Sequence, residues 1–302
     1  MQYNLITILG PTAVGKTFLG ASLADHFGGE IISADSRQVY KRMDIGTGKD
    51  LDDYLINGKT VPYHLIDICE PKDEYNLYLF NRRFYKTFKD ITSRKMIPFM
   101  VGGTGLYLHS VLKSYDLNAV DFENERFDEL NNFTIEELKE MLKAKNPALH
   151  NTTDLMIKER IIKALMISEK GTSKETEEIT GVNSLNIGIN LERDEIRKRI
   201  TGRLKLRLQG GMTEEVEKLL EEGVTPQRLE AFGLEYKFIG KYLAGELNRN
   251  DMFQKLNSAI HGFAKRQMTW FRKMEKEGIK INWINGPDYD AAKEIVSKNY
   301  FS

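Results

Sequence analysis

The sequence predicts an α/β fold, with a P-loop parallel-sheet core, helices on both faces and a small inserted helical domain. A short apolar strand runs directly into a glycine-rich loop and a helix, and strands and helices then alternate through the N-terminal third. A charged, helix-forming stretch interrupts this alternation. We therefore divide the chain into the first part of the core at 1–116, a small helical insertion at 117–150, and the remainder of the core with C-terminal helices at 151–302.

The overall composition is that of a globular protein of ordinary polarity. The 302 residues are 41% hydrophobic and 29% charged, and no apolar run approaches the ~18 residues that cross a bilayer. The N-terminus lacks the features of a signal peptide, so we expect a cytoplasmic location and no membrane partner. The single cysteine, Cys69, excludes a disulfide framework and a cysteine zinc site.

The first motif is a phosphate-binding loop. Leu5–Leu9 reads as a buried strand, Gly10–Thr17 has the spacing G-x-x-x-x-G-K-T, and Phe18–Phe27 continues with helical spacing. Backbone N–H groups of such a loop surround phosphate oxygens, and the helix N-terminus adds positive potential. Lys16 would reach the terminal phosphate, and the Thr17 hydroxyl would hold Mg²⁺, the predicted cofactor. The residues predicted to bind a diphosphate are Gly10, Pro11, Thr12, Ala13, Val14, Gly15, Lys16 and Thr17.

A nucleotide hydrolase normally needs a second magnesium carboxylate at the end of a buried strand. The best candidate is Asp67, which only two apolar residues precede. The later apolar strand at 96–101 ends in glycines without an acid. The hypothesis of nucleotide hydrolysis is therefore weakened. A P-loop kinase of a nucleoside or small metabolite stays as an alternative.

Two further segments are expected at the same edge of the sheet. Glu30–Ala34 is a candidate strand, which places Asp35 at its C-terminal end, where open α/β sheets bind ligands. Asp35 or Ser36 could equally cap the next helix. Gly102–Gly105 is either another ligand-lining turn or a simple strand-to-helix connection. Several side chains after Asp35 could bind a polar ligand: Ser36, Arg37, Gln38 and Tyr40.

Six ordered blocks together resemble the bacterial tRNA dimethylallyltransferases, the IPP transferase family. The glycine loop alone is common to many proteins, whereas the ordered set is much more specific. The blocks are Gly10–Thr17, Ile32–Tyr40, Met43–Thr47, Val61–Asp67, Val101–Tyr107 and Ala264–Arg272.

The resemblance implies transfer of a dimethylallyl group from its diphosphate to the exocyclic amine of the adenosine beside the anticodon. The loop would hold the pyrophosphate leaving group, and Asp35 would accept the proton of the weakly nucleophilic amine. Lys16, Mg²⁺ on Thr17 and an arginine would stabilise the departing charge. By similarity Thr104 also belongs to the catalytic set.

A basic helix supplies candidates for the arginine. In the segment 192–208, apolar residues spaced by four form one stripe, and Arg199, Arg203 and Arg207 form a neighbouring one. From the pattern alone, this could be a solvated basic face. The resemblance assigns the pyrophosphate contact to Arg203, with Arg199 as the second choice.

The adenine must be swung out of the anticodon loop into a pocket. From the pattern alone, the aromatic residues Trp270 and Phe271 near the C-terminus could be core residues of a helix instead of RNA contacts. The expected partners are the tRNA anticodon stem-loop and dimethylallyl diphosphate, and the chain is expected to act as a monomer. The resemblance predicts that the helical insertion at 117–150 contacts tRNA. It also predicts tRNA contacts at Asp35, Ser36, Arg37, Gln38, Thr104, Arg160, Lys163, Lys265, Arg266, Gln267, Trp270 and Arg272.

Three alternatives remain open. One is the kinase, which would release ADP. A second is prenyl transfer to a free adenine nucleotide, against which the basic C-terminal stretches argue. The third is an RNA-binding module whose phosphate loop no longer acts.

Overall fold

The computed structural model describes residues 3–115, 125–145, 158–170 and 181–301. The chain divides into two compact units. The larger combines Met1–Ser114 with Gly181–Ser302, and the smaller is Tyr115–Thr180. The smaller unit thus extends past the predicted insertion at 117–150.

The larger unit is built on a parallel six-stranded sheet, which confirms the predicted fold class. The strand order is β5-β2-β6-β1-β7-β8, and every neighbouring pair is parallel. A separate antiparallel hairpin consists of β3 and β4. The strands are β1 (Leu5–Leu9), β2 (Gly29–Ala34), β3 (Leu55–Ile56), β4 (Lys59–Thr60), β5 (Tyr63–His64), β6 (Ile97–Gly102), β7 (Ser184–Asn190) and β8 (Asn282–Asn285).

Helices cover both faces of this sheet. Successive side chains of each buried strand point to opposite faces, so each face carries apolar residues that helices bury. From β1, Ile6 and Ile8 face a core cluster that includes α1 and α12. Leu5 and Leu9 face a second cluster with α2, α3 and α11. The helices of this unit are α1 (Lys16–Phe27), α2 (Leu77–Ser93), α3 (Gly105–Leu112), α7 (Arg193–Gln209), α8 (Met212–Glu221), α9 (Pro226–Phe232), α10 (Leu234–Leu243), α11 (Arg249–Lys276) and α12 (Tyr289–Asn299).

A third apolar cluster joins α7 to α11. The predicted apolar stripe of α7 is present: Ile200 and Leu204 are buried in this cluster, and Ile196 packs against it. The basic stripe on the same helix is therefore held in a fixed orientation. None of the helices in the described ranges is long and apolar enough to cross a bilayer.

The smaller unit contains the helices α4 (Glu125–Asn131), α5 (Ile135–Lys145) and α6 (Lys158–Lys170). Thr134 and Glu137 form a capping box at the start of α5, since the Thr134 Oγ1 accepts from the Glu137 N–H and the Glu137 carboxylate accepts from the Thr134 N–H. Helix α6 was expected to return to the core. Instead its Ile161 and Leu165 are buried with Leu138, so its apolar face completes this unit.

The sheet register aligns the ends of three strands that the sequence had singled out. Leu9 of β1 and Ala34 of β2 both pair with Gly102 of β6. The residues that follow these strands therefore leave the sheet side by side at its carboxyl edge. This edge carries the phosphate loop, Asp35 and the Gly102–Gly105 turn.

Candidate active site

The phosphate loop has backbone geometry that requires glycine at its two ends. A Cβ on Gly10 would lie 2.7 Å from the carbonyl oxygen of Ile189 on β7, so the loop packs directly against the neighbouring strand. Gly15 caps α1 with φ of 85°, in the left-handed region that other residues adopt at a cost. The loop thus leads the chain from β1 into the N-terminus of α1, as predicted.

Lys16 begins α1, and its ammonium donates to the Pro11 carbonyl at 2.6 Å. Burial and the positive charge of Arg203 lower its pKa to about 7, while the Asp35 carboxylate acts in the opposite direction. The three predicted catalytic groups are therefore close enough to influence one another. A lysine with this pKa is readily stabilised in its charged form by an incoming anion.

Arg203 is the member of the basic stripe that contacts the loop. Its Nη2 donates to the Thr12 Oγ1. Burial, and then repulsion by Arg207, lower its pKa to about 10, so it stays charged near neutral pH. Arg199 instead pairs with the exposed Glu195 at 2.8 Å on its own helix. Of the two candidate arginines, Arg203 therefore contacts the phosphate loop, whereas Arg199 is paired on its own helix.

Asp35 follows β2 and serves the local turn with one carboxylate oxygen. Its Oδ1 accepts from the Arg37 N–H at 2.8 Å, and Oδ2 has no hydrogen bond within the described ranges. The Ser36 N–H donates to the Thr104 Oγ1 at 3.2 Å. No helix begins within residues 35–50, so the alternative that Asp35 or Ser36 caps the next helix is wrong. Asp35 instead stabilises a turn, and its second carboxylate oxygen can accept a proton.

Two side chains predicted to contact RNA are engaged with the protein. The Arg37 guanidinium donates to the Phe232 carbonyl. Gln38 donates to the Gly48 carbonyl at 2.9 Å and accepts from Ser33 Oγ at 3.1 Å. Both residues support the turn that carries Asp35.

Gln267 of α11, also predicted to contact RNA, is buried beneath the loop. Its Oε1 accepts from the Thr12 N–H at 2.8 Å, and its Nε2 donates to the Gly103 carbonyl at 2.8 Å. It is 6% exposed, so we assign it to the support of the site rather than to an RNA surface. Sequence spacing gave no sign of this role, because both partners lie far away along the chain.

The other basic residues predicted on α11 face outward. Lys265, Arg266 and Arg272 are exposed, whereas Phe271 is fully buried in the core. Trp270 is partly buried beside Gly105, where a Cβ would lie 2.6 Å from the indole Cγ. In the smaller unit, Lys163 is partly buried. The side chain of Arg160 lies outside the described residues.

The candidate second magnesium carboxylate is committed elsewhere. Asp67 pairs with the ammonium of Lys49, which is 1% exposed and also pairs with Asp44 at 2.6 Å. This buried lysine was not anticipated from the sequence.

The described ranges contain no cluster of three His, Cys, Asp or Glu residues able to hold a metal ion. The half-buried Thr17 hydroxyl can supply one oxygen ligand, which suits a Mg²⁺ whose other ligands come from a diphosphate and water.

Glu235 was also missed as a member of the site. It lies in the first turn of α10, where burial raises its pKa, and Arg37, Arg207 and Arg203 act in the opposite direction. An acid among these arginines partly balances the positive charge of the site. Helix patterning places Glu235 on α10 but does not show which other helix it approaches.

Comparisons with known proteins agree with this architecture. A family model described as IPP transferase matches residues 38–274, and one described as isopentenyl transferase matches residues 3–62. The tRNA dimethylallyltransferase 1 of Geotalea uraniireducens is 53% identical over 294 residues, which cover 97% of this chain and 96% of that relative.

Solved structures extend the comparison. The full-length tRNA isopentenylpyrophosphate transferase of Bacillus halodurans is 31% identical, with a TM-score of 0.69 over 99% of this chain and 95% of that one. A eukaryotic dimethylallyltransferase crystallised acting on tRNA is 23% identical, with a TM-score of 0.74 over 98% and 77% of the two chains, and it shares the fold. The chain therefore belongs to the IPP transferase family and is a prenyltransferase.

Proposed function

We propose that this enzyme transfers a dimethylallyl group from dimethylallyl diphosphate to the exocyclic amine of the adenosine adjacent to the anticodon in tRNA. The observation that carries the proposal is the meeting of Lys16, Arg203 and Asp35 at one sheet edge. Two cations suit a leaving diphosphate, and a carboxylate beside them suits removal of a proton from the attacking amine. The names of the relatives at about half identity supply the acceptor and the donor.

The phosphate loop acts on the leaving group. Lys16 and Arg203 stabilise the negative charge that develops on the diphosphate as the C1–O bond breaks. The N–H groups at the start of α1 add the positive potential of the helix terminus. Thr17 would hold Mg²⁺, which supplies further charge neutralisation when bound. The Thr12 N–H, already bonded to Gln267, is not among these donors.

Asp35 acts on the nucleophile. The adenine amine forms a bond to C1 of the dimethylallyl group, and the electron pair of the C1–O bond leaves with diphosphate. The proton lost by the amine passes to Asp35, whose Oδ1 is held by the Arg37 N–H. A base fixed in this way contributes ~10²- to 10⁴-fold to such a step.

The acceptor side is supported by charge on the surface. Lys265, Arg266 and Arg272 are exposed on one helix, and Trp270 is partly exposed between them, so charge and an aromatic ring lie together as in many RNA-binding surfaces. We include tRNA contacts by these residues, and a cytoplasmic location among the tRNA substrates, in the proposal.

Mass spectrometry of nucleosides tests the proposal. Purified enzyme, unmodified tRNA, dimethylallyl diphosphate and Mg²⁺ should yield dimethylallyl-adenosine at the position beside the anticodon, together with diphosphate. Release of ADP from ATP with a small-molecule acceptor would favour the kinase instead. Modification of AMP in preference to tRNA would favour free nucleotide as acceptor, and tRNA binding without product would favour the RNA-binding module.

A further inference from the structure

Gln267 joins two parts of the active site that the sheet holds on neighbouring strands. Its carbonyl oxygen accepts from Thr12 in the loop after β1, and its amide nitrogen donates to Gly103 in the turn after β6. Thr12 and Gly103 lie 255 and 164 residues away in sequence, respectively. One buried side chain therefore connects both loops at their main chains.

Each of the two loops leads to a different participant in the reaction. On one side, the Thr12 hydroxyl accepts from Arg203, the residue assigned to the leaving diphosphate. On the other side, Thr104 follows Gly103 and accepts from the Ser36 N–H, next to Asp35. Gln267 is thus the side chain between the group that receives the leaving charge and the group that receives the proton.

We propose that Gln267 is a positioning residue that sets the separation between the diphosphate site and the general base. This inference rests on the proposed function. In-line displacement needs the amine, C1 and the leaving oxygen aligned with the reacting atoms about 3–3.5 Å apart, and a displacement of about 1 Å can cost 10²-fold in rate. A bridge of fixed length between the two loops meets that need.

The chemistry of the position requires a neutral amide. The bridge needs an acceptor for Thr12 and a donor for Gly103 on the same planar group, which glutamine provides. An ionised glutamate offers only acceptors and would face the Gly103 carbonyl without a proton. The packing is also close: a Cβ on Gly103 would lie 2.5 Å from Gln267 Nε2.

The requirement for a neutral amide gives a test that distinguishes the two hydrogen bonds of Gln267 from a role in packing alone. In Gln267→Glu the carboxyl can copy the amide only when protonated, because its O–H then donates to Gly103 and its C=O accepts from Thr12. The ratio of variant to wild-type kcat should therefore rise as the pH falls from 8 to 6. Taking the ratio removes the pH dependence of every group that the two proteins share.

Gln267→Met keeps the approximate volume and removes both hydrogen bonds. We expect its kcat to fall by about 10²-fold at every pH, with the Kd for tRNA within about twofold of wild type by filter binding. The control is Gln254→Glu, which places the same charge at an exposed position of α11 and should behave as wild type throughout.

The outcomes separate the two proposals. Wild-type enzyme that leaves tRNA unmodified would sink the proposed function. If wild type is active, a Gln267→Glu ratio that does not change with pH would overturn the positioning role, and so would a Gln267→Met variant with normal kcat. A raised Kd for tRNA with normal kcat would return Gln267 to the RNA surface. If Gln267→Met does not fold, the pH series on Gln267→Glu decides.

Discussion

Lys16 and its surroundings show how the environment of a single side chain tunes it for an anionic ligand. Burial and Arg203 make its proton easier to lose, and the Asp35 carboxylate only partly offsets them. The diphosphate of the proposed function would bring several negative charges to the ammonium and raise the pKa of Lys16 again. Binding of the donor and protonation of Lys16 are therefore linked.

The linkage predicts a pH dependence of diphosphate binding. With a pKa of about 7 in the free enzyme, Lys16 is mostly neutral at pH 8, so binding at pH 8 should take up a proton. The affinity of the wild type for diphosphate with Mg²⁺, divided by that of Lys16→Arg to cancel the protonation of diphosphate itself, should be flat below pH 7 and fall up to about tenfold per pH unit above it. Calorimetry in buffers of different ionisation enthalpy measures the uptake directly. In Lys16→Arg, which stays charged, this uptake should disappear; equal uptake in both proteins would assign it to another group.

Asp35 permits a second test at the level of one residue. In Asp35→Asn the amide oxygen can still accept from the Arg37 N–H, so the turn is kept while the base is lost. We expect kcat to fall by ~10²-fold or more with little change in the Kd for diphosphate. Single-turnover prenylation of tRNA gives the rate. Asp52→Asn, at an exposed position, is the control, and wild-type turnover in Asp35→Asn would remove Asp35 from the role of base.

Helix α7 illustrates what an element adds to the properties of its residues. Its apolar stripe fixes the helix against the core, so three arginines of similar appearance in the sequence meet different surroundings. Arg203 meets the loop, Arg207 pairs with Asp50 at 2.8 Å, and Arg199 pairs with Glu195 at 2.8 Å. The distinction comes from tertiary packing, and only the family resemblance anticipated it.

The helix therefore predicts unequal effects of two similar substitutions. Arg203→Ala removes a charged donor beside the phosphate loop, at the proposed site of the leaving group, and should lower kcat/KM by about 10²- to 10³-fold. Arg199→Ala removes only a solvent-exposed ion pair with Glu195 and should leave kcat/KM within about twofold. Steady-state kinetics with dimethylallyl diphosphate varied at saturating tRNA makes the comparison. Equal losses in the two variants would contradict the assignment of Arg203.

Local signals in the sequence were enough for the strands and helices that carry the site. The strand–loop–helix around Gly10–Thr17 and the position of Asp35 depend on near neighbours, and the structure has them as predicted. Gln267 and Lys49 could not be found this way, because their partners are brought to them only by the folded core. A buried polar side chain in a helix looks like a surface residue until its neighbours are known.

At the scale of the molecule, the division into units was only partly predictable. The insertion begins near the predicted residue, but α6 belongs to it rather than to the core. An amphipathic helix shows that it has an apolar face and does not show which other helices cover that face. The same reason explains why the role of each exposed basic residue stays a prediction.

The exposed charges of α11 predict how tRNA binding responds to salt. Arg266→Ala should weaken tRNA binding and reduce the slope of log K against log salt by about 1 if it neutralises one phosphate. The substitution should leave the single-turnover rate of prenylation at saturating tRNA nearly unchanged. Titrations from low to high salt by fluorescence anisotropy measure both quantities. The control is Lys255→Ala, exposed elsewhere on the same helix; an unchanged slope in Arg266→Ala would place the RNA elsewhere.

The sequence distance between the phosphate loop and the side chain that braces it bears on when the enzyme becomes active during its synthesis. Thr12 leaves the ribosome 255 residues ahead of Gln267, an interval of roughly 10–50 s at ordinary elongation rates of about 5–20 residues per second. Strand β7, the neighbour of β1, is also made late, since Leu5 pairs with Ser184. A nascent chain therefore cannot close the bridge between the loop and the Gly103 turn until the segment around Gln267 has been made, long after the loop itself.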